Sequence, residues 1–273
     1  MNLSDVQFIF NRALSLTFDR KKNLLAFSVL ALCGLLVIFC RALAIHAGKW
    51  VLMSLSFLPI FLCSGVLLSL GILLIRVYHD EIKNKAFRYR DIIANSWEII
   101  IGASYFSIPI ILCYLVLWML LGFFVLMREI PGLGEFFAVI LAFGPFLINL
   151  GSIVLGLLNI SMLFFLTPVV ALNGLNRIRV SQILVKRLKG DMFSNIFLGL
   201  LAILPFAVYF SLLMLAAVLT GAVCYACDDQ LHAILQSFII MIPFAALMAP
   251  AVVFFFNFAA EAHVLILKSL RNA

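Results

Sequence analysis

The chain has 273 residues, of which 66% are hydrophobic and only 11% charged, with a formal net charge of +7 and a mean hydropathy of +1.22. An ordinary soluble domain carries about 25% charged residues, so polar groups cannot cover this surface and part of its solvent must be lipid. Its apolar runs are solid rather than alternating, which excludes a transmembrane barrel and points to helices, whose backbone is satisfied internally in hydrocarbon.

The chain opens on an amphipathic segment, "LSDVQFIFNRAL", in which Ser4 and Gln7 have the spacing of a capping box and Val6, Ile9, Phe10 and Ala13 share an apolar face. It is polar where a secretory signal would carry a short apolar core, so no cleavable signal is expected. A helix needs about 20 apolar residues to cross the hydrocarbon. Two charge-free intervals of that kind follow, between Asn23 and Arg41 (extendable to His46) and between Lys49 and Arg76.

The pattern then resumes. In "YHDEIKNKAFRYRDIIANSWEII" a helix places Ile82, Ala86, Tyr89, Ile93, Trp97 and Ile100 on one face. Apolar intervals follow between Glu98 and Arg128 and between Glu135 and Arg177. The second holds more residues than one crossing needs, and it is read as a span from Phe136 to about Leu166 that ends at Pro168, since proline disfavours helical geometry just before it.

A third basic segment, "NGLNRIRVSQILVKRLKGDMFSN", runs from Asn173 to Asn195. As a helix it sets Arg179, Gln182, Lys186 and Lys189 on one face, with Val180, Leu184 and Leu188 on the other. Arg177 and Arg187 fall toward the apolar side, where their stems are expected to lie along lipid while the heads reach water. The last spans lie between Asp191 and Asp228 and between Asp229 and Glu261.

An amphipathic segment followed by two spans thus occurs three times, dividing one integral membrane domain, 1–273, into pseudo-repeats of 1–77, 78–168 and 169–273. Each second span carries a proline before an apolar stretch, at Pro59, Pro145 and Pro243; the third and fifth spans match at Pro109 and Pro205, and the first span lacks this proline. With six spans and both termini on one face, that face holds sixteen Lys and Arg and the other only Arg41, Lys49 and Arg128. This asymmetry predicts cytoplasmic termini and accounts for the net charge with no need of nucleic acid. The fold class expected is all-α: a polytopic bundle of six transmembrane helices plus three interfacial amphipathic helices forming a basic collar on the cytoplasmic side.

Catalytic chemistry is hard to assemble. No span centre carries an ionisable residue, the usual mark of a proton relay or ion path; Glu261 and His263 stand at the inner end of the sixth span, Arg41 and His46 near the outer end of the first. The four histidines are scattered, "HDE" at His79 reads as a solvated face, and phosphate-binding loops and serine elbows are missing from the pattern. No metal or cofactor is expected. Cys33, Cys40, Cys63 and Cys113 read as small packing residues, and Cys224 and Cys227 stand near the outer face, where an oxidising compartment allows pairing.

The polarity inside the spans is neutral. The fourth carries Pro145, Asn149, Ser152, Gly156 and Asn159 on one stripe, and the sixth carries Gln236, Pro243, Pro250 and Asn257 at seven-residue steps, with Glu261 a turn further on. These stripes either pack helix on helix, through small residues and amide hydrogen bonds, or wall a cavity.

In "TPVVALNGLNRIRVSQILVKRLKGD", Pro168, Gly174, Ser181 and the Lys189-Gly190 pair fall at spacings that resemble a broad group of six-span bacterial inner-membrane proteins. The group is similar to the membrane domain fused to some glycerophosphodiester phosphodiesterases; relatives often have an acid where Asn173 stands. The resemblance implies a bacterial inner-membrane location and the same fold, and it transfers no catalytic residue. The function expected is non-enzymatic: lipid handling or membrane organisation at the cytoplasmic leaflet, with Arg179, Lys186 and Lys189 recruiting anionic headgroups. The rival is an uncoupled transporter or channel along Asn149, Ser152, Asn159 and Asn257. The partners expected are membrane lipids, anionic at the cytoplasmic face, with a membrane-protein partner or a second copy of the chain as further candidates.

Overall fold

A computed structural model of the chain describes residues 3–44, 49–83, 89–127, 130, 134–190, 192–220 and 230–272. Among them the structure is all-α: α1 (Leu3–Ser15), α2 (Arg20–Ala44), α3 (Lys49–Ile82), α4 (Tyr89–Ser104), α5 (Ile108–Met127), α6 (Gly134–Asn173), α7 (Arg177–Gly190), α8 (Met192–Leu219) and α9 (Gln230–Asn272). A short 3-10 turn, Tyr105–Ser107, joins α4 to α5. Six stretches are long and apolar enough to cross a membrane: Arg20–Ala44, Phe57–Ile82, Ser96–Phe123, Phe146–Asn173, Met192–Leu219 and Ile234–Lys268. The protein is a multi-pass membrane protein.

The spans form an inner and an outer set. Helices α3, α6 and α9 touch one another, while α2 lies on α3 and α9, α5 on α6 and α3, and α8 on α9. In the α3 span 61% of residues are buried against protein, in those of α2 and α8 only 11%. The outer helices present Leu32, Leu112, Leu200, Leu204 and Leu212 outward, as a lipid-facing surface requires. Close approach inside depends on glycine. A Cβ at Gly71 of α3 would collide with the Phe256 ring of α9, and one at Gly34 of α2 with the Met241 side chain.

The terminal half of α9 is the most enclosed element. Every residue from 251 to 263 is buried, the polar Asn257, Glu261 and His263 among them. Part of the cover is α1, which seats Val6, Ile9 and Ala13 inward and sets the Phe10 ring edge-on to Phe254 and Phe258 at 5.1 and 6.2 Å. The apolar face of α1 therefore meets protein, and Phe8 and Phe18 point outward. Helix α1 is already formed at Leu3, one residue ahead of the expected cap at Ser4.

Two boundaries differ from the sequence expectation. Helix α6 does not stop at Pro168 but runs to Asn173, where Gly174 takes φ +79° and its amide donates to Val170 O at 3.0 Å. That is the left-handed cap glycine supplies without strain. Proline is tolerated inside a span when neighbouring helices enclose it, and Thr167, Val169 and Val170 beside Pro168 are fully buried. In α4 the buried side chains include Ile92, Ser96 and Ala103, while Trp97, on the apolar face that periodicity marks, is exposed. Pro109 does not interrupt α5: it falls in the first turn, where its missing N–H breaks no helical bond.

Candidate functional site

At one end of the bundle, charged side chains turn inward. Lys22 in the first turn of α2 is fully buried; its ammonium meets the Glu81 carboxylate at the end of α3 and donates to Leu16 O at 2.8 Å. One turn back on α3, the Tyr78 hydroxyl donates to Glu261 Oε1 of α9 at 2.8 Å, and Arg12 Nε of α1 stands 3.4 Å from the same oxygen. Arg76 donates from Nε to Ala171 O at 3.1 Å and from Nη1 to Ser96 Oγ at 2.6 Å. At the opposite end Arg41 Nη1 donates to Ser237 Oγ at 3.4 Å. A buried charge costs several kcal/mol unless it is paired or hydrogen-bonded, and the inward-turned Lys22, Arg12 and Arg76 all meet that condition.

Arg187 does so differently. The sequence reading set its head in water; the structure buries it completely, because α8 and α9 close over the end of α7. Its Nε donates to Asn195 Oδ1 at 3.0 Å, Asn195 Nδ2 donates back to Arg187 O at 2.8 Å, and Nη1 lies 3.3 Å from His263 Nδ1. The guanidinium carbon sits 5.4 Å from the Phe164 ring centroid and 4.9 Å from that of Phe165. Burial pushes the guanidinium pKa down to about 9, which leaves the charge in place at neutral pH.

The three cations singled out in the sequence, Arg179, Lys186 and Lys189, are all exposed on the outer side of α7. Asn176 starts that helix, its Oδ1 accepting from the Arg179 amide at 3.3 Å, and Val180 is buried on the opposite side. The intramembrane polar residues differ in their surroundings. Asn149 is exposed, Ser152 and Asn159 are buried, and Asn257 is fully buried, with Nδ2 donating to Leu16 O at 3.4 Å. Among the described residues no hydrogen bond joins the α6 and α9 stripes. Cys224 and Cys227 lie outside the described residues.

Beneath α7 the structure opens a feature the sequence did not suggest. A crevice of about 440 Å³ runs between the start of α5 and the wall of α6, roofed by Val180, Ser181 and Leu184 of α7. A second hollow of about 380 Å³, bounded by Gly102, Tyr105, Pro109 and Leu175, adjoins it at Phe106. The crevice wall is carbon apart from two hydroxyls, and both are already committed: Ser161 donates to Leu157 O at 2.8 Å and Ser181 to Ile178 O at 3.0 Å. Its size is ordinary for a small-molecule site, which spans roughly 300–1,000 Å³. Its chemistry suits a hydrocarbon chain and rejects a polar solute, which would lose its water for no hydrogen bond in return.

The inward ion pairs, Arg187 and the crevice all escaped the sequence reading. Glu261 and His263 at the end of the sixth span were their one visible sign. Compared with known protein families, curated sequences and solved structures, the chain matches none.

Proposed function

We propose that the protein binds phospholipid at the cytoplasmic leaflet of a bacterial inner membrane and handles or organises it without covalent chemistry. The acyl chain lies in the crevice between α5 and α6, and the outer face of α7 draws anionic headgroups through Arg179, Lys186 and Lys189. The observation that carries this reading is the placing of an apolar crevice directly under an exposed basic helix. Each juxtamembrane cation contributes about 1 kcal/mol of attraction to an anionic leaflet. The sixteen-to-three distribution of Lys and Arg supports cytoplasmic termini and, with them, α7 at that leaflet.

Mass spectrometry of the protein in native-membrane discs tests it. The wild type is expected to retain anionic phospholipid above its bulk share, and Arg179/Lys186/Lys189→Gln to return that share to bulk with folding unchanged. A bulk profile around the wild type sinks the proposal. If the same protein in sealed vesicles passes a soluble solute, the pathway reading along Asn149 and Asn257 takes its place.

A further inference from the structure

Arg187 stands apart from the other inward cations. Lys22 and Arg12 each meet a carboxylate, and Arg76 has a carbonyl and a hydroxyl. Among the described residues no carboxylate lies within ion-pair distance of Arg187, and its Nη2 is buried with no hydrogen-bond partner. Two phenylalanine faces offset part of that cost, at about 0.5–2 kcal/mol for cation–π contacts, which is less than the several kcal/mol of burying a charge.

The neighbouring histidine carries a second unpartnered nitrogen. Arg187 Nη1 can only donate, so His263 Nδ1 accepts at 3.3 Å and the ring proton sits on Nε2. His263 Nε2 is also buried and without a partner. Both atoms are therefore donors, and an anion with acceptor oxygens satisfies such donors beside a cation that has no carboxylate partner among the described residues. The access route is one ring thick: Phe165, whose face lies 4.9 Å from the guanidinium, is also a wall of the crevice, and Leu184 of the crevice roof is one turn from Arg187 on α7.

We infer that Arg187 and His263 form a phosphate-binding subsite behind Phe165, which takes the phosphodiester of a lipid whose chain occupies the crevice. The anion site stands on its own geometry; the lipid as its source rests on the function proposed above. Rotation of the Phe165 ring opens the path, and Asn195 holds the guanidinium in register while the phosphate oxygens accept from Arg187 Nη2 and His263 Nε2.

The test uses the full chain, washed free of lipid in a maltoside detergent, with its histidines labelled with ¹⁵N and the His263 signal assigned by His263→Gln. Phosphatidylglycerol, diacylglycerol and inorganic phosphate are titrated separately. Phosphatidylglycerol is expected to move the Nε2 resonance saturably, diacylglycerol to leave it in place, and inorganic phosphate to act only at much higher concentration. Arg187→Lys, which keeps the charge but loses the second donor, is expected to weaken the phosphatidylglycerol response roughly tenfold, about the loss of one charge-assisted hydrogen bond. Arg179/Lys186/Lys189→Gln is expected to leave the saturated shift intact, so failure of the outer recruiting face is read separately from failure of this subsite. A folded wild type whose His263 signal answers to neither phosphate source overturns the inference and leaves Arg187 as a strut between α7, α8 and α9. An equal response to inorganic phosphate at the same concentration overturns the lipid assignment.

Discussion

At the scale of single residues, the polar end of the bundle is built from pairings between distant segments. Glu261 is the shared acceptor of Tyr78 and Arg12, across α9, α3 and α1. Glu261→Leu, which leaves the Tyr78 hydroxyl without its acceptor, is expected to lower stability by about 1–3 kcal/mol in a thermal or denaturant melt. Most of that loss belongs to the Tyr78 bond, because Arg12 is partly exposed and its attraction is screened. In the Arg12→Met background the same change is expected to cost nearly as much; a cost that vanishes there assigns the energy to the ion pair instead. Glycines divide similarly. Gly71→Ala drives a methyl into Phe256 and is expected to cost about 1–3 kcal/mol, while Gly156→Ala, with nothing within 4 Å, is expected to be neutral or to stabilise slightly. Neither contrast was readable from sequence, since composition marks a glycine without naming what it touches.

At the scale of elements, helix faces were legible and their partners were not. Val6, Ile9, Phe10 and Ala13 form one face by spacing alone, and that is the face α1 uses; but an apolar face is the same whether it meets lipid or α9. The consequence is measurable. Phe10→Ala, which removes a ring lodged between Phe254 and Phe258, is expected to cost about 2–4 kcal/mol, and Phe8→Ala, on the exposed side, close to nothing. Equal effects at the two positions contradict the docked α1. In α4 spacing marked the apolar face of Trp97, which is exposed, and left unmarked the protein-facing side, which carries the small Ser96 and Ala103. In a lipid solvent, size and close approach rather than hydrophobicity decide which side faces the bundle. Pro168 misled for a related reason: rules for helix ends learned in water weaken where only an intact helix satisfies the backbone.

At the scale of the whole molecule, charge counting and hydropathy were enough for six spans, because a bilayer imposes length and apolarity on each crossing separately. They carry no information on which spans pack inside. That α3, α6 and α9 form the inner set, leaving a lateral crevice between α5, α6 and α7, depends on pairwise fit between surfaces of nearly identical composition. The basic face of α7 was visible; the hollow under it was not, since its wall looks like any other stretch of a span.

Lipid handling by this protein depends on whether that hollow holds a lipid chain. Ser161→Trp fills the crevice from the α6 wall, and the hydroxyl it removes bonds only to its own helix. The direct measurement is native mass spectrometry counting phospholipids that survive stripping, wild type against Ser161→Trp. At least one tightly held phospholipid per wild-type chain is expected, and its loss in the filled variant, with the melting temperature nearly unchanged. An unaltered count in a folded Ser161→Trp protein contradicts lipid binding there.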